Sequence, residues 1–225
     1  MREKNIVIVL DFDGTITIED SNDLLFKILG NTKNEQIETE FLASRMSNRK
    51  AMRQHFEEML IGMEDYHSFL DAHIRIDSTF DAFLEEARSR NILPYIVSGG
   101  FRQAIERVLG KKRLDGIEVL ANDLVGDKHI TTSFATAKPL CDKAFGPCGN
   151  CKRDVMKKIR RERPNRTIVF VGDGLTDRCA MEGADVLYAK NSLAEYCGKR
   201  DLPYVLYANF ADIADHLWGS EVGNE

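Results

Sequence analysis

The sequence has no long apolar run, and none of its hydrophobic stretches approaches the roughly 20 residues that a membrane-spanning helix needs. Its first residues, Met1 to Lys4, lead directly into a short strand-like run, so we expect no signal peptide and a cytoplasmic location. Positive charge is not in excess, because the formal net charge is −5. Since nucleic-acid-binding domains are usually basic, we expect no nucleic-acid partner. The lack of a long apolar run leads us to expect no membrane partner either.

Cysteine is scarce, and the odd number of five argues against a framework of disulfide bonds. Three cysteines lie close together, at Cys141, Cys148 and Cys151. They would bind zinc only with a fourth ligand such as His129 or Cys179, and no second Cys-x-x-Cys pair follows at zinc-site spacing. The alternative, which we favour, is a loop packed by small apolar thiols.

The sequence has 225 residues, of which 43% are hydrophobic and 30% charged, as in ordinary globular proteins. Short apolar runs followed by turn or polar residues predict buried parallel strands. These runs are Ile6 to Leu10, Ile92 to Val97, Ile117 to Ala121, Thr167 to Val171 and Asp185 to Tyr188. Amphipathic helical stretches lie between most of them, so we predict an α/β fold with a doubly wound, Rossmann-like parallel sheet.

Two stretches interrupt this alternation. Residues 20–76 show only helical periodicity, and we interpret them as a helical cap inserted into a catalytic core formed by residues 1–19 and 77–225. Residues 122–150 contain a predicted hairpin at Val125 to Ile130, followed by a loop rich in glycine, proline and cysteine.

Acidic and hydroxyl side chains follow three of the predicted strands. Asp11 and Asp13 come directly after the first strand, Ser98 follows the second, and Asp173 and Asp177 follow the strand that begins at Thr167. Ligands of open parallel sheets bind at the carboxyl ends of the strands, where these side chains should meet. Such a set of hard oxygen ligands predicts a site for Mg²⁺.

The same edge of the sheet offers groups that suit a phosphate. Ser98 precedes Gly99 and Gly100, so a hydroxyl and free backbone N–H groups would face an anion there. Lys152 begins the predicted helix before the Asp173 strand and is well placed to balance the phosphate charge. Lys138 is the alternative cation.

These residues resemble the four motifs of the haloacid dehalogenase superfamily of phosphotransferases. The first motif, D-x-D-G-T, matches Asp11 to Thr15; the second matches Ser98; the third, a lysine, matches Lys152; and the fourth, G-D-x-x-x-D, matches Gly172 to Asp177. The resemblance covers nearly the whole chain and implies a Mg²⁺-dependent phosphatase of a small phosphorylated metabolite.

Within this superfamily the sequence is most similar to the methionine-salvage phosphatases acting on 2-hydroxy-3-keto-5-methylthiopentenyl-1-phosphate. They share the D-F-D-G-T-I-T segment of Asp11 to Thr17, a later acid at Asp20 and the cysteine-rich loop of Cys148 to Lys152. Phosphoserine phosphatases have the same layout. Phosphoethanolamine/phosphocholine phosphatases share the loop, but the two acids that meet their substrate's cationic head correspond to Asn22 and Gly99 here.

The resemblance also implies a role for each motif residue. Asp11 would be the nucleophile that forms an aspartyl-phosphate, and Asp13 the general acid and base. The metal would be held by Asp11, the backbone carbonyl of Asp13, and Asp173, with Asp177 in a supporting position. The groups that would hold the phosphate oxygens are Ser98, the Gly99 N–H and Lys152.

The cap is expected to exclude water and to select the leaving group, with Asp20 and Arg53 as candidate substrate contacts. Arg53 is one of three cap arginines at spacings of four, with Arg45 and Arg49, and a solvated stripe is the alternative interpretation. An alternative function is a non-catalytic switch that stores phosphate on Asp11, but a switch needs neither Asp13 nor a closing cap. Transfer to a metabolite, the substrate's identity and the oligomeric state remain open.

Overall fold

The computed structural model describes residues 5–137, 141, 143 and 145–219. Within that part of the chain the strands are β1 (Ile6–Leu10), β2 (Tyr95–Phe101), β3 (Glu118–Val125), β4 (Thr131–Ser133), β5 (Thr167–Gly172), β6 (Val186–Ala189) and β7 (Val205–Leu206). The α-helices are α1 (Ser21–Leu29), α2 (Thr32–Leu42), α3 (Asn48–Met59), α4 (Met63–His73), α5 (Phe80–Ser89), α6 (Arg102–Leu114), α7 (Lys152–Glu162), α8 (Asp177–Ala180), α9 (Asn191–Gly198) and α10 (Phe210–Trp218).

The described strands form one sheet in the order β4-β3-β2-β1-β5-β6-β7, in which only β4 runs antiparallel to its neighbour. The first strand is central and fully buried, as its run of isoleucine, valine and leucine predicts for a strand covered on both faces. Its register pairs Val9 with Tyr95 on one side and with Phe170 on the other. The ends of β1, β2 and β5 therefore lie side by side.

Successive side chains of β1 enter two different hydrophobic cores, because side chains alternate across a strand. Ile8 and Leu10 pack with residues from α5, α6 and α10. Val7 and Val9 pack with residues from α7 and α9 on the opposite face. Helices thus cover both faces of the sheet, and this arrangement confirms the predicted doubly wound α/β fold.

The second strand differs from its predicted bounds. It begins at Tyr95 rather than Ile92, because Pro94 has no N–H to contribute to a strand ladder. It also continues through the serine and both glycines to Phe101. Between Val97 and Phe101 the register against β3 advances by only two residues, from Leu120 to Asn122, so the Ser98 segment bulges out of the ladder.

The helices α1 to α4 lie between β1 and β2, in the segment predicted as a cap. The two chain segments that connect these helices to the sheet lie side by side, and an isolated antiparallel bridge pairs Thr17 with Ile76. Whether residues 20–76 form a separate cap stays a prediction. The ends of the predicted core, residues 1–4 and 220–225, lie outside the described residues. None of the described helices has the length and apolar character required to cross a membrane.

The helical segment contacts the core at several places. Phe56 of α3 packs edge-on against Phe101 of β2, with 5.0 Å between the ring centroids. The Met63 N–H donates to Asp127 O, in the turn between β3 and β4. The antiparallel pairing of these two strands confirms the predicted hairpin. The first N–H groups of a helix have no partner within the helix. At the start of α3, those of Asn48 and Arg49 donate to the carbonyls of residues 145 and 147, at 2.8 and 3.1 Å.

Candidate active site

A pocket of about 310 Å³ lies at the carboxyl ends of β1, β2 and β5, below helices α1 to α3. Most of the predicted site residues line this one pocket: Asp11, Asp13, Asp20, Ser98, Gly99, Lys152 and Asp173. Asp177 lies behind its floor and is fully buried. The opposite wall is formed mainly by α1, α2 and α3 and includes both apolar and polar side chains. The structure therefore brings the four motifs together where the strand order predicts.

Lys152 joins two of the acids at the pocket floor. Its Nζ lies 2.6 Å from Asp11 Oδ1 and 2.6 Å from Asp177 Oδ1, and the residue is only 3% exposed. Burial alone would lower the pKa of Lys152, but the two carboxylates raise it above its ordinary value, so the ammonium group stays charged. Burial, and then the neighbouring Asp177, raise the pKa of Asp11. The single positive charge of Lys152 therefore does not balance the negative charges of the two acids it contacts.

The two acids after β5 have different surroundings. Asp177 Oδ2 accepts hydrogen bonds from the backbone N–H groups of Asp173 and Gly174, at 3.0 and 2.9 Å, while its other oxygen binds Lys152. Asp177 is thus fully engaged within the protein. The Asp173 carboxylate accepts bonds from two side chains among the described residues, Thr15 Oγ1 at 3.1 Å and Asn191 Nδ2 at 3.3 Å. Burial, and then Asp177, raise the pKa of Asp173 to about 6.

Asp11, Asp173 and Asp177 form a cluster that is able to hold a metal ion, since each offers a carboxylate oxygen within 4.8 Å of the others. An all-oxygen donor set suits a hard cation such as Mg²⁺. A divalent ion would also supply the positive charge that Lys152 alone does not. Gly14 allows this arrangement, because its φ is +69° and a Cβ there would collide with the Asp173 carboxylate.

Asp13 is held apart from that cluster. Its Oδ1 accepts hydrogen bonds from the Ser21 N–H at 3.0 Å and the Ser21 hydroxyl at 2.5 Å, and its Oδ2 lies 3.5 Å from Ser98 Oγ. Burial, and then Asp20, raise the pKa of Asp13 to about 7. A Cβ at Gly100 would lie 2.5 Å from Asp13 Oδ2, so any larger residue at this position would clash with the Asp13 carboxylate.

Two asparagines that sequence reasoning missed hold the Ser98 segment in position. Asn150 Nδ2 donates to Ser98 O at 2.9 Å and to Leu120 O at 2.8 Å, and Asn122 Nδ2 donates to Gly99 O at 2.7 Å. Asn150 lies two residues before the motif lysine, and that proximity is the signal that could have identified it. Nothing in a single sequence distinguishes Asn122, which lies inside β3. Ser21, the partner of Asp13, was missed as well.

Asp20 and Arg53, the two candidate substrate contacts of the cap, lie in different places. Asp20 lines the pocket, but its Oδ1 also accepts the N–H groups of Asn22 and Asp23 and so caps helix α1. Arg53 does not belong to the pocket wall, and its guanidinium lies over the ring of Phe134, 5.4 Å from the centroid. The alternative phosphate-binding residue, Lys138, lies outside the described residues.

The cysteines of the predicted loop are free thiols in the structure. Burial, and then the nearby thiols of Cys141 and Cys179, raise the pKa of Cys148 to about 12. Across the described residues, the three aspartates named above are the only group of metal-binding side chains close enough to share an ion. The zinc alternative therefore has no support, and the structure favours thiols that pack a loop.

Comparisons with known proteins agree with this geometry. Residues 8–182 match the family model described as haloacid dehalogenase-like hydrolase. The chain belongs to this family. It is 30% identical to the 2-hydroxy-3-keto-5-methylthiopentenyl-1-phosphate phosphatase of Geobacillus kaustophilus (strain HTA426), over 97% of this chain and 98% of that protein. It is 29% identical to the polyol phosphate phosphatase PYP1 of Saccharomyces cerevisiae (strain ATCC 204508 / S288c), over 92% and 90% of the two chains.

Solved structures of phosphoserine phosphatases share the fold. A phospho-aspartyl intermediate analogue of phosphoserine phosphatase superposes with a TM-score of 0.67 over 95% of this chain and 98% of the other, at 18% identity. A substrate-bound phosphoserine phosphatase complex gives 0.67 over 94% and 97%, at 17% identity. Together, the family match and the phosphatase relatives identify the chain as a phosphatase of the haloacid dehalogenase type.

Replacing Asn150 should weaken both the fold and the catalytic site. In Asn150→Ala the carbonyls of Ser98 and Leu120 lose a buried donor, which should cost about 2 kcal/mol of unfolding free energy. The freed Ser98 segment should also lower kcat/KM for phosphate release. Urea unfolding followed by circular dichroism, together with steady-state kinetics, measures both. The control is Asn165→Ala, at an exposed turn, which should change stability by less than about 0.5 kcal/mol. Equal behaviour of the two variants would contradict this role.

Proposed function

We propose that the protein is a Mg²⁺-dependent phosphomonoesterase that hydrolyses a small phosphorylated metabolite through an aspartyl-phosphate on Asp11. The observation that carries this proposal is the floor of the pocket. There Asp11 pairs with the buried Lys152 at 2.6 Å and shares a cluster with Asp173 and Asp177. Asp13, two residues later, has one oxygen beside Ser98.

The residues that would hold the metal are Asp11, the backbone carbonyl of Asp13, and Asp173, with Asp177 supporting them through Lys152 and backbone N–H groups. When bound, Mg²⁺ supplies positive charge that offsets the repulsion between the carboxylates and an incoming phosphate. Asp177 has no oxygen left without a hydrogen bond or ion pair. That engagement supports a supporting role for Asp177 rather than direct ligation.

In the first half-reaction an Asp11 carboxylate oxygen attacks the phosphorus in line, and the bond to the leaving alcohol oxygen breaks. Ser98 Oγ, the Gly99 N–H and the Lys152 ammonium group would bind the equatorial phosphate oxygens. Asp13, in its protonated form, gives its proton to the leaving oxygen, and a free alcohol departs. In the second half-reaction Asp13 takes a proton from water, the water oxygen attacks the phosphorus, and inorganic phosphate and the Asp11 carboxylate are released.

The division of labour between core and cap is part of the same proposal. Residues 1–19 and 77–225 would form the catalytic core, and residues 20–76 the cap that excludes water and selects the leaving group. The position of α1 to α3 over the pocket supports this division. It also argues against a phospho-acceptor switch on Asp11, which would need neither Asp13 nor an enclosed pocket. Transfer to a metabolite instead of water is the remaining variant.

The best-supported substrate is 2-hydroxy-3-keto-5-methylthiopentenyl-1-phosphate, because relatives named for it match over nearly the whole chain. A polyol phosphate is the second candidate, on the strength of the yeast relative. Phosphoserine is a third, although the structural likeness behind it shows the fold alone. Phosphoethanolamine and phosphocholine are disfavoured, because Asn22 and Gly99 line the pocket where two acids would be expected.

The nucleophile is tested with Asp11→Asn, which should abolish turnover while leaving the fold intact. The amide cannot attack phosphorus, and Asp177, the second carboxylate beside Lys152, is fully buried behind the pocket floor with both oxygens engaged. Phosphate release from a panel of phosphorylated metabolites and far-UV circular dichroism would be measured on the same samples. Asp115→Asn, at an exposed position, serves as the matched control and should keep full activity. Near-wild-type turnover by Asp11→Asn would refute the assignment.

Removal of divalent metal should also abolish activity. After dialysis against EDTA the carboxylates at the pocket floor would repel a phosphate, so turnover should fall to background and return on addition of Mg²⁺. Phosphate release measures this, with elemental analysis confirming that the dialysed protein is metal-free. Full activity of verified metal-free protein would count against the metal site.

The acid-base role of Asp13 is tested by comparing leaving groups. An alkoxide needs a proton as it leaves, whereas nitrophenolate does not, so Asp13→Asn should slow alkyl phosphates by about 10²–10⁴-fold. Formation of the intermediate from p-nitrophenyl phosphate should be hurt much less. Because the second half-reaction loses its base, the aspartyl-phosphate should accumulate and give a burst in rapid-quench kinetics. Equal, small losses for both substrates without a burst would mean that Asp13 only shapes the turn.

A further inference from the structure

The wall of the pocket opposite the phosphate site is rich in acids. Asp20, Asp23 and Glu38 line it, from the start of α1 and from α2. Among the pocket-lining residues that the structure describes, Lys152 is the only lysine or arginine. Its ammonium group is already bound between Asp11 and Asp177. The wall therefore has no described cation with which to pair an anionic group on a ligand.

Three buried side chains of the same pocket have polar atoms without a hydrogen-bond partner: Asn22 Oδ1, Asn48 Oδ1 and His55 Nε2. The residues are only 2%, 8% and 1% exposed. A buried polar group without a partner is costly, so natural proteins rarely keep one unless a ligand or water satisfies it. Three such atoms in one pocket are groups that a polar ligand or a bound water would satisfy.

The proton on His55 is placed by Asn34. The side-chain oxygen of Asn34 accepts the Asn31 N–H at 3.0 Å, and its nitrogen donates to His55 O at 3.1 Å. The same nitrogen lies 3.0 Å from His55 Nδ1, so Nδ1 accepts and the proton of the neutral ring is on Nε2. Stacking on Phe26, with 3.9 Å between the ring centroids, fixes the plane of the ring.

His55 Nε2 lies 3.6 Å from Glu38 Oε2, just beyond hydrogen-bond distance. One hydroxyl group fits this pair, since it accepts from Nε2–H and donates to the carboxylate. The amide oxygens of Asn22 and Asn48 would accept further O–H donors. A carboxylate in the same place would meet three acids, and no described lysine or arginine of this wall would pair with it.

We propose that this wall selects phosphomonoesters whose alcohol part carries hydroxyl groups and no carboxylate. The inference rests on the proposed phosphatase function and goes further, because it assigns leaving-group selection to Glu38, His55 and Asn48. It separates two substrate classes left open above. A polyol-like or enol-like leaving group is accepted, and a carboxylated one such as that of phosphoserine is rejected.

The test compares two esters that differ in one group. Glycerol 3-phosphate and 3-phosphoglycerate have the same chain length and phosphate position, but one ends in a hydroxymethyl group and the other in a carboxylate. With Mg²⁺ present, kcat/KM should be at least about 10²-fold lower for 3-phosphoglycerate, because like charges brought together at a binding site are strongly unfavourable. Equal or faster hydrolysis of 3-phosphoglycerate would overturn the proposal.

A matched pair of variants then locates the selection. Glu38→Gln should reduce the ratio between the two esters about tenfold, mainly by raising kcat/KM for 3-phosphoglycerate. Glu35→Gln removes the same charge from the same helix at an exposed position outside the pocket, and should leave the ratio unchanged. An unchanged ratio in Glu38→Gln, or an equal change in both variants, would overturn the role of Glu38.

The two proposals fail in different ways. p-Nitrophenyl phosphate needs no contact with the acidic wall, so its hydrolysis by the wild-type enzyme reports the catalytic site alone. Activity on p-nitrophenyl phosphate without the expected preference for glycerol 3-phosphate would overturn only the selection. No activity on any of the three esters with Mg²⁺ would overturn the phosphatase proposal itself.

Discussion

Lys152 places an almost completely buried ammonium group between the carboxylates of Asp11 and Asp177, 2.6 Å from each. Burying a single charge costs several kcal/mol, and the attraction between opposite charges at this distance offsets that cost. The lysine is also the first residue of α7, where the positive end of the helix dipole opposes a cation. The two acids must compensate both effects, so the position of α7 depends on the sequence at the ends of β1 and β5.

The sheet order brings these groups together. The first strand lies between β2 and β5, and the Asp11 N–H still donates to Val171 O at 2.9 Å beyond the end of the ladder. The two strands beside β1, which are β2 and β5, each place a different set of side chains at the site. The fifth strand leads to the acids, and the bulged end of β2 turns the Ser98 segment toward Asp13. The pairing of β1 with β5 at the centre of the sheet thus brings together Asp11 and Asp173, which are more than 160 positions apart in the chain.

The sequence predicted the parts of this arrangement that depend on local patterns. Apolar runs located the main strands, and most of the acids near their ends, with the serine and the lysine, line the same pocket. Partners that lie far away in the chain were not predictable. Asn150 and Asn122 bind carbonyls of the Ser98 segment across 52 and 23 residues, and buried asparagine has no pattern of its own. The contact of Arg53 with Phe134, which Arg49 shares, was not predictable either, because helical spacing does not show which ring an arginine meets.

The start of helix α3 has a consequence for the proposed cap. Its N–H groups bind the carbonyls of residues 145 and 147, and the same segment continues through Asn150, which holds Ser98, to Lys152. The short segment up to Lys152 therefore joins helix α3 to the groups proposed to bind phosphate. Linkage requires that such coupling act equally in both directions. A phosphate that orders the Ser98 segment should favour leaving-group binding against α3, and a leaving group bound to α3 should tighten phosphate binding by the same factor.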